Sequence, residues 1–581
     1  MNECQAKSFP VAELDLKTER LGPLPIINHF IDKMGLDRLL DRFVPTTDKR
    51  VRLPYAKGLG VLLRSILVER EPIYRQQETV STFSPEEFGL SKGLVRHIGD
   101  DAIGRSLDRL FDADRGALLT ELVVTMAEVF SISFDELHND STTIRFCGQY
   151  RGAKGRRIRG KPAPFITYGY SKDHRPDLKQ LLFIITTSRD GSVPVQFRCE
   201  AGNRNDSRTH EETWDALCKV SGDPGFLYVA DSKLCNQEAL DYIDAKGGRL
   251  VCVIPKSRHE DGEFRHWVQT HEPNWELVWD RPHPRRKGGP RDRWWVHRHY
   301  LPSLEGWPVI WVKSDLLRLR QDRRRRERID TATEKLEELN EKLAGPRPRK
   351  RKPKDIFDSV EEILKSHKVN RYITVNLVEE EEHSYRQSTP GRPTSKTRYI
   401  RKTRKYYRLA WELDEGAIEY DRKSDGMYPL LTNDRELTPA QVLEAHKNQP
   451  SIEKRFEQTK TVFEIAPVLL KNEGRVEALF YLYFIALVVQ SLIEREIRLS
   501  MERENIEALP LYPEERENKR PTCEQIFRLF SQAERHALKH GQDTVKTFNP
   551  ELTPLQHQIL ALLGISCSAY EHRPEFNVDN S

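Results

Sequence analysis

None of the eight cysteines stands in a C-x-x-C pair, and their positions (4, 147, 199, 218, 235, 252, 523 and 567) follow no regular spacing. That scatter argues against a structural zinc module and against a disulfide framework, and it points to a reducing compartment. The stretch Met1 to Pro10 lacks the apolar core of a secretory signal. The longest uncharged apolar run, 479–493, has 15 residues and is closely flanked by charges. It falls short of the roughly 20 residues that cross a bilayer, so a buried core helix is expected there, and no membrane partner. There is no long internal repeat. Net charge is also small, because 94 basic residues nearly balance 89 acidic ones to leave +5. The average hides a signal, since the basic residues are clustered.

A chain of 581 residues exceeds what one hydrophobic core serves, so several domains are expected. Residues 1–130 read as helical, because INHFIDKMGLDRLL, YAKGLGVLLRSILVER, DDAIGRSLDRLF and ALLTELVVTMAEVF carry apolar residues at helical spacing. Such a unit fits a DNA-docking module and equally a helical cap or dimerisation piece. Short β-like runs follow in 131–255: SFDELHND, PFITYGYSKD, KQLLFIITTS, GFLYVADSK and RLVCVIP, the last two interleaved with helical stretches. A meander of three strands followed by alternating helix and strand is the order of an RNase H-like mixed α/β sheet. Residues 256–424 read as an insertion, part β and part helix, with seven of the nine tryptophans between Trp267 and Trp311. Most of those rings are expected to form a small β core; stacking on an unpaired or flipped base is the other reading. The core resumes at 425–505, where Thr438 is placed to cap a helix, and 506–581 reads as a helical tail.

Phosphodiester cleavage requires a deprotonated attacking oxygen and a neutralised leaving oxygen, and two Mg²⁺ ions about 4 Å apart serve both needs. Hard cations take oxygen ligands, so carboxylates must converge from distant parts of the chain, typically beyond strand ends. Asp231 fits, since the apolar run from Phe226 to Ala230 leads straight into it. A cap or turn aspartate is the competing reading. Asp140 closes the first strand-like run, but Asp135 and Glu136 stand nearby and the run is polar. Glu453 cannot be separated by pattern from Glu444, Glu457 and Glu464. One geometric point favours it: Lys460 lies seven residues on, two helical turns and roughly 10 Å along one face, where it could reach a neighbouring phosphate.

Several segments resemble the DDE transposases of bacterial insertion sequences, in the subgroup with a large insertion before the final glutamate. They are HNDSTT (138–143), GYSKDHRPDLKQ (169–180), AGNRNDSRT (201–209), FLYVADSK (226–233), DGMYPLLTN (425–433) and SIEKRFEQTK (451–460). The long GYSKDHRPDLKQ is the most specific, and similarity extends to the N-terminal helices and to LTPLQHQILALLGI. The resemblance implies that Asp140, Asp231 and Glu453 bind two Mg²⁺ ions, with Mn²⁺ able to substitute. It implies cleavage at terminal inverted repeats, transfer of the 3′-OH strand to target DNA, a homodimer on paired ends, and a bacterial cytoplasm in contact with the nucleoid. Related chains carry Y-x2-R-x3-E-x6-K around the glutamate; here the tyrosine place is His446 and the arginine place is Gln449. His446 is expected to stack or hold phosphate, and Lys454 or Arg455 to replace the lost charge.

Clustered Lys and Arg neutralise phosphates, so RGAKGRRIRGK (151–161), just after Asp140, is expected to touch DNA through Lys154, Arg156, Arg157, Arg159 and Lys161. RPHPRRKGGPRDR (281–293) and the stretches at 345–354 and 386–405 add basic charge, whereas RRRRER (323–328) reads as a solvated face. Two other functions fit the same core: an RNase H-like nuclease without transposition, and a domesticated DNA-binding protein without activity. Three carboxylates at the metal positions count against the second, and the basic insertion is unexplained by the first.

Overall fold

The computed structural model describes residues 14–148, 150, 153, 155–172, 175–205, 209–283, 288–345, 352–463, 470–512, 514–541 and 543–571. They form two compact units: one holds the described residues up to Cys252 together with those from Glu444 onward, the other is Val253–Leu443.

The first unit is built on a mixed sheet whose five strands, in chain order, are Glu136–Phe146, Lys179–Ser188, Pro194–Ala201, Leu227–Val229 and Arg249–Val253. Their spatial order is third, second, first, fourth, fifth. The first three pair antiparallel as a meander, and the first, fourth and fifth run parallel. Helices His210–Ser221 and Gln237–Ala245 precede and follow the fourth strand. This is the expected RNase H-like order.

The meander differs from expectation in its members. PFITYGYSKD supplies no strand over its described residues: Thr167 makes only an isolated bridge to Gln180, and Gly202 N–H bonds to the Phe165 carbonyl. A Cβ on Gly169 would fall 1.9 Å from the Gly202 carbonyl oxygen, so this segment lies too close to the third strand for a side chain there. The third strand is Pro194–Ala201, where Arg198 and Glu200 break the apolar pattern. The first strand also continues past Asp140 to Phe146.

The apolar run at 479–493 sits inside the helix Glu473–Arg503, which is apolar on every side and whose most apolar window is 89% buried. It is a core helix. Phe480 meets Phe183 edge-on, Phe484 stacks on Phe197 of the third strand at 5.0 Å, and the helices Tyr55–Val68 and Asp100–Asp112 pack on it as well. The N-terminal helices therefore share the core of the sheet. The C-terminal tail has helices Cys523–Phe530 and Pro554–Leu562, the latter capped by Thr553 and Gln556. Between them lies a feature not expected: strands Glu534–His540 and Asp543–Phe548 form a sheet with Leu14–Arg20. These strands are too charged and too short to stand out by periodicity.

In the second unit, Glu276–Arg281, Asp292–Arg298, Val309–Ser314 and Met427–Thr432 pair antiparallel in that order. Trp311 is fully buried and stacks on Phe264 at 3.6 Å, Trp307 is buried, and Trp279 meets Trp294 edge-on. Those rings hold the insert together. The charged helix Asp315–Ala344 buries its sparse seam of Ile329, Ala332, Leu336 and Leu343 against helix Pro353–His367 and the long hairpin Ile373–Gln387/Tyr399–Leu413.

Candidate functional site

Strand register brings two of the expected carboxylates side by side. The parallel pairing of the first and fourth strands ends with His138 opposite Val229. Asp140 lies two residues farther along the first strand, and Asp231 two residues farther along the chain, just past the end of the fourth, so paired neighbouring strands lead into both carboxylates. The fourth strand ends because the backbone turns: Ala230 N–H still bonds to Val251, whereas Lys233 N–H donates to Asp231 Oδ1 at 2.9 Å. Asp231 thus fills the turn role of the competing reading, with its second oxygen left for another partner.

Asp140 carries the electrostatic signature of the site. Burial, the largest cause, pushes its carboxyl up to about 6, and the negative charges of Asp231 and Glu453 push in the same direction. The Lys172 ammonium and the Ser141 N–H oppose them. All three expected carboxylates therefore share one field. Lys172 Nζ stands 3.8 Å from Asp140 Oδ1 and donates to the carbonyl and hydroxyl oxygens of Ser141, each at 2.7 Å. This lysine of the GYSKD segment was not singled out as a site residue; its place in the most specific motif was the available signal. The donor set is all oxygen and suits a hard cation. Among the described residues, however, no three His, Cys, Asp or Glu side chains already converge as a metal cage. Carboxylate oxygens are the donor type such an ion takes.

A stability test follows from the raised carboxyl. A folded-state value of about 6 against 3.8 unfolded means that ionising Asp140 costs folding free energy, absent below about pH 4 and fully present above about pH 6. Asp140→Asn removes that cost, so the metal-free variant should gain roughly 3 kcal/mol at pH 8 and almost nothing near pH 4. Thermal melts in chelator at the two pH values check this; equal gains, or a loss at pH 8, contradict it.

Glu453 stands exposed in the first turn of helix Pro450–Glu457, started by a proline at its first position. The helix packs against the first and second core strands. Its anchor is Arg455, only 2% exposed, whose guanidinium donates to Glu494 at 2.9 Å, to Gln458 at 2.8 Å and to the carbonyls of Gly191 and Ser192. Burial pushes the fully buried Glu494 carboxyl up, but the charges of Arg455, Lys454 and Arg498 together hold it below the usual range. The helix then widens into a π turn at Gln458–Val462, which contains Lys460. A π turn advances each residue through a smaller angle than an α turn, so Lys460 does not stand in the simple two-turn relation to Glu453 that an unbroken α-helix gives.

The expected DNA contacts are placed unevenly. Arg455 is committed to the interior, as described. Half-buried His446 has its pKa pushed to about 4, by burial first and then by Lys447 and His138, so its ring is neutral near pH 7. Arg159 pairs with Asp112 at 2.7 Å and Asp108 at 3.4 Å, Lys161 donates to the Ala113 carbonyl, and Arg157 donates to the Gly160 carbonyl. Arg156 is exposed, and Lys154 lies outside the described residues.

A mixed sheet in this order, with an acidic residue in its first strand and another just past the end of its fourth, is the arrangement of the RNase H-like class. Residues 136–489 match the transposase DDE domain family, and residues 16–124 match a domain of unknown function, DUF4277. The chain belongs to the DDE transposase family. No curated protein is similar enough to match it. Among solved structures it is similar to the cryo-EM structure of the piggyBac transposase synaptic complex with hairpin DNA. That likeness has 10% identity and a TM-score of 0.38, and covers 87% of this chain and 79% of the other.

Proposed function

We propose that this transposase cuts DNA at the ends of its element in a Mg²⁺-dependent reaction and transfers the freed 3′-OH strand to target DNA. In this reading Asp140, Asp231 and Glu453 are the ligand carboxylates. The observation that carries it is the parallel pairing of the first and fourth strands that leads into Asp140 and Asp231, with the helix of Glu453 packed against the first strand. When bound, a pair of such cations supplies activation of the attacking oxygen and neutralisation of the leaving one. The chain's own part is to hold three like charges close together. Burial acts on Asp140, Glu453 stays exposed on its helix, and the Arg455–Glu494 pair fixes the helix that presents Glu453. Lys172 balances part of the charge beside Asp140.

Arg156, Arg157 and Lys460 are proposed to meet DNA phosphates at the terminal inverted repeats, and the neutral ring of His446 to offer a stacking surface. Paired ends imply two copies of the chain.

The test is incubation of the element's own end duplex with Mg²⁺ or Mn²⁺ and a target plasmid. Cleaved ends and joined product are expected, and neither in chelator. Cleavage without joining favours the RNase H-like nuclease instead. Lys460→Ala should lower the salt slope of end binding by about 1, as one lost phosphate contact requires. An unchanged slope removes Lys460 from the DNA-contact set.

A further inference from the structure

The run RRRRER divides its charges between two destinations. Arg323 and Arg326 pair along the helix surface with Glu327 and Asp322. Gln321, Arg324, Arg325 and Arg328, at positions i, i+3, i+4 and i+7, share the other face and line an open cavity of about 550 Å³ in the second unit. That volume lies within the range of ordinary ligand sites, about 300–1,000 Å³.

Three ion pairs build the cavity wall. Arg265 pairs with Asp261 at 2.7 Å, Arg371 with Asp421 at 2.9 Å, and buried Arg325 with buried Asp425. Each pair is neutral. The remaining cations, Lys256, Arg324 and Arg328, have no ion-pair partner among the described residues. Arg324 and Arg328 are exposed at the cavity and accessible to a ligand. Deeper in, Arg325 is 6% exposed, and its Nη1 atom is buried without a hydrogen-bond partner among the described residues. Its guanidinium lies against the Tyr372 ring and adds positive potential to the cavity from beneath the surface. Three exposed positive charges without an ion-pair partner among the described residues make a receptor for a group that is both anionic and rich in acceptor oxygens. Phosphate has both properties, and Arg presents the fork that matches it.

We infer that this cavity is a phosphate-binding site through which the second unit grips the DNA backbone away from the three carboxylates. The inference rests on the transposase reading and adds to it a specific contact in the insert. Arg324 and Arg328 are the residues to test, because they sit exposed on a helix and the fold does not depend on them.

The experiment uses the full chain and a labelled duplex of the element's end, with affinity read by anisotropy across a salt series. The Arg324→Ala/Arg328→Ala double variant should reduce the slope of log affinity against log salt by about 2, at about 0.9 per phosphate contact. It should bind the duplex at least tenfold more weakly in low salt and melt at the wild-type temperature. The Arg324→Lys/Arg328→Lys variant should restore most of the slope, because it keeps the charge. A double alanine variant with wild-type slope and affinity overturns the site. Calorimetric titration with inorganic phosphate separates the source of the group: tight binding to the wild type, combined with an unchanged duplex slope, would mark a free-anion site and overturn the DNA assignment. If the wild type binds and cleaves end DNA and only the slope prediction fails, the cavity assignment alone falls. If the wild type neither binds nor cleaves, both fall together.

Discussion

Asp231→Asn is expected to reduce metal-dependent cleavage of end DNA by at least about 1,000-fold, equivalent to roughly 4 kcal/mol of transition-state stabilisation. The substitution keeps the shape of the side chain and the turn bond from Lys233 N–H, because an amide oxygen accepts it as a carboxylate oxygen does. What it removes is one of three negative charges. Removing a negative charge near phosphates does not weaken DNA binding, so end affinity should be unchanged or slightly higher. A merely structural aspartate would behave in the opposite way, with cleavage falling only as far as stability falls. Single-turnover cleavage and duplex binding, measured on the same preparation, distinguish the two. Full residual cleavage removes Asp231 from the site.

The second large effect concerns the anchor of the Glu453 helix. Arg455 and Glu494 are both essentially fully buried, and each satisfies several groups besides its partner. Removing one charge leaves the other buried and uncompensated, at a cost of about 3–5 kcal/mol. Arg455→Ala and Glu494→Ala should therefore each lower the denaturant midpoint sharply. Arg455→Met combined with Glu494→Leu should recover much of the loss, because no orphan charge remains. The recovered protein is expected to stay defective in cleavage, since the bonds from Arg455 to Gly191 and Ser192 that seat the Glu453 helix are gone. Chemical denaturation checks the first part. If the double variant is no more stable than either alanine variant, the buried pair is not the source of the cost.

Much of the core was legible because its signals are local. The apolar approach to Asp231 is a buried strand, the 479–493 run is a buried helix, and the Thr438 side chain accepts from Gln441 N–H as a helix cap should. Other elements hid for physical reasons. Pro194–Ala201 does not read as a strand because Arg198, paired with Glu200 and Glu212, places charge in its second half. The first strand looks too polar because several of its buried polar groups have protein partners: His138 bonds to Glu136 within the strand at 2.9 Å, and Asn139 donates to Thr186 of the second strand at 2.9 Å. Burial of that kind leaves no mark on hydrophobic periodicity.

Within the site, the pattern around Asp231 pointed to one carboxylate, the spacing to Lys460 and resemblance together pointed to Glu453, and chiefly resemblance pointed to Asp140. Strand pairing then adds a reason for Asp140 that its own sequence lacks, since His138 opposite Val229 brings the chain approaching Asp140 beside the chain approaching Asp231. The π turn after Glu457 has no sequence marker, so the spacing from Glu453 to Lys460 was read as two plain α turns. The buried fate of Arg455 was equally invisible, because its partner Glu494 lies on a helix 39 residues away. The split of RRRRER into a solvated face and a cavity face depends on what the helix packs against, which periodicity alone does not reveal.

Binding of Mn²⁺ to the chain in complex with its end duplex, counted by calorimetry or electron paramagnetic resonance, tests the three-carboxylate centre most directly. Two ions per active site are predicted for the wild type, with at least one lost in each of Asp140→Asn, Asp231→Asn and Glu453→Gln. Wild-type stoichiometry and affinity in all three variants would contradict it.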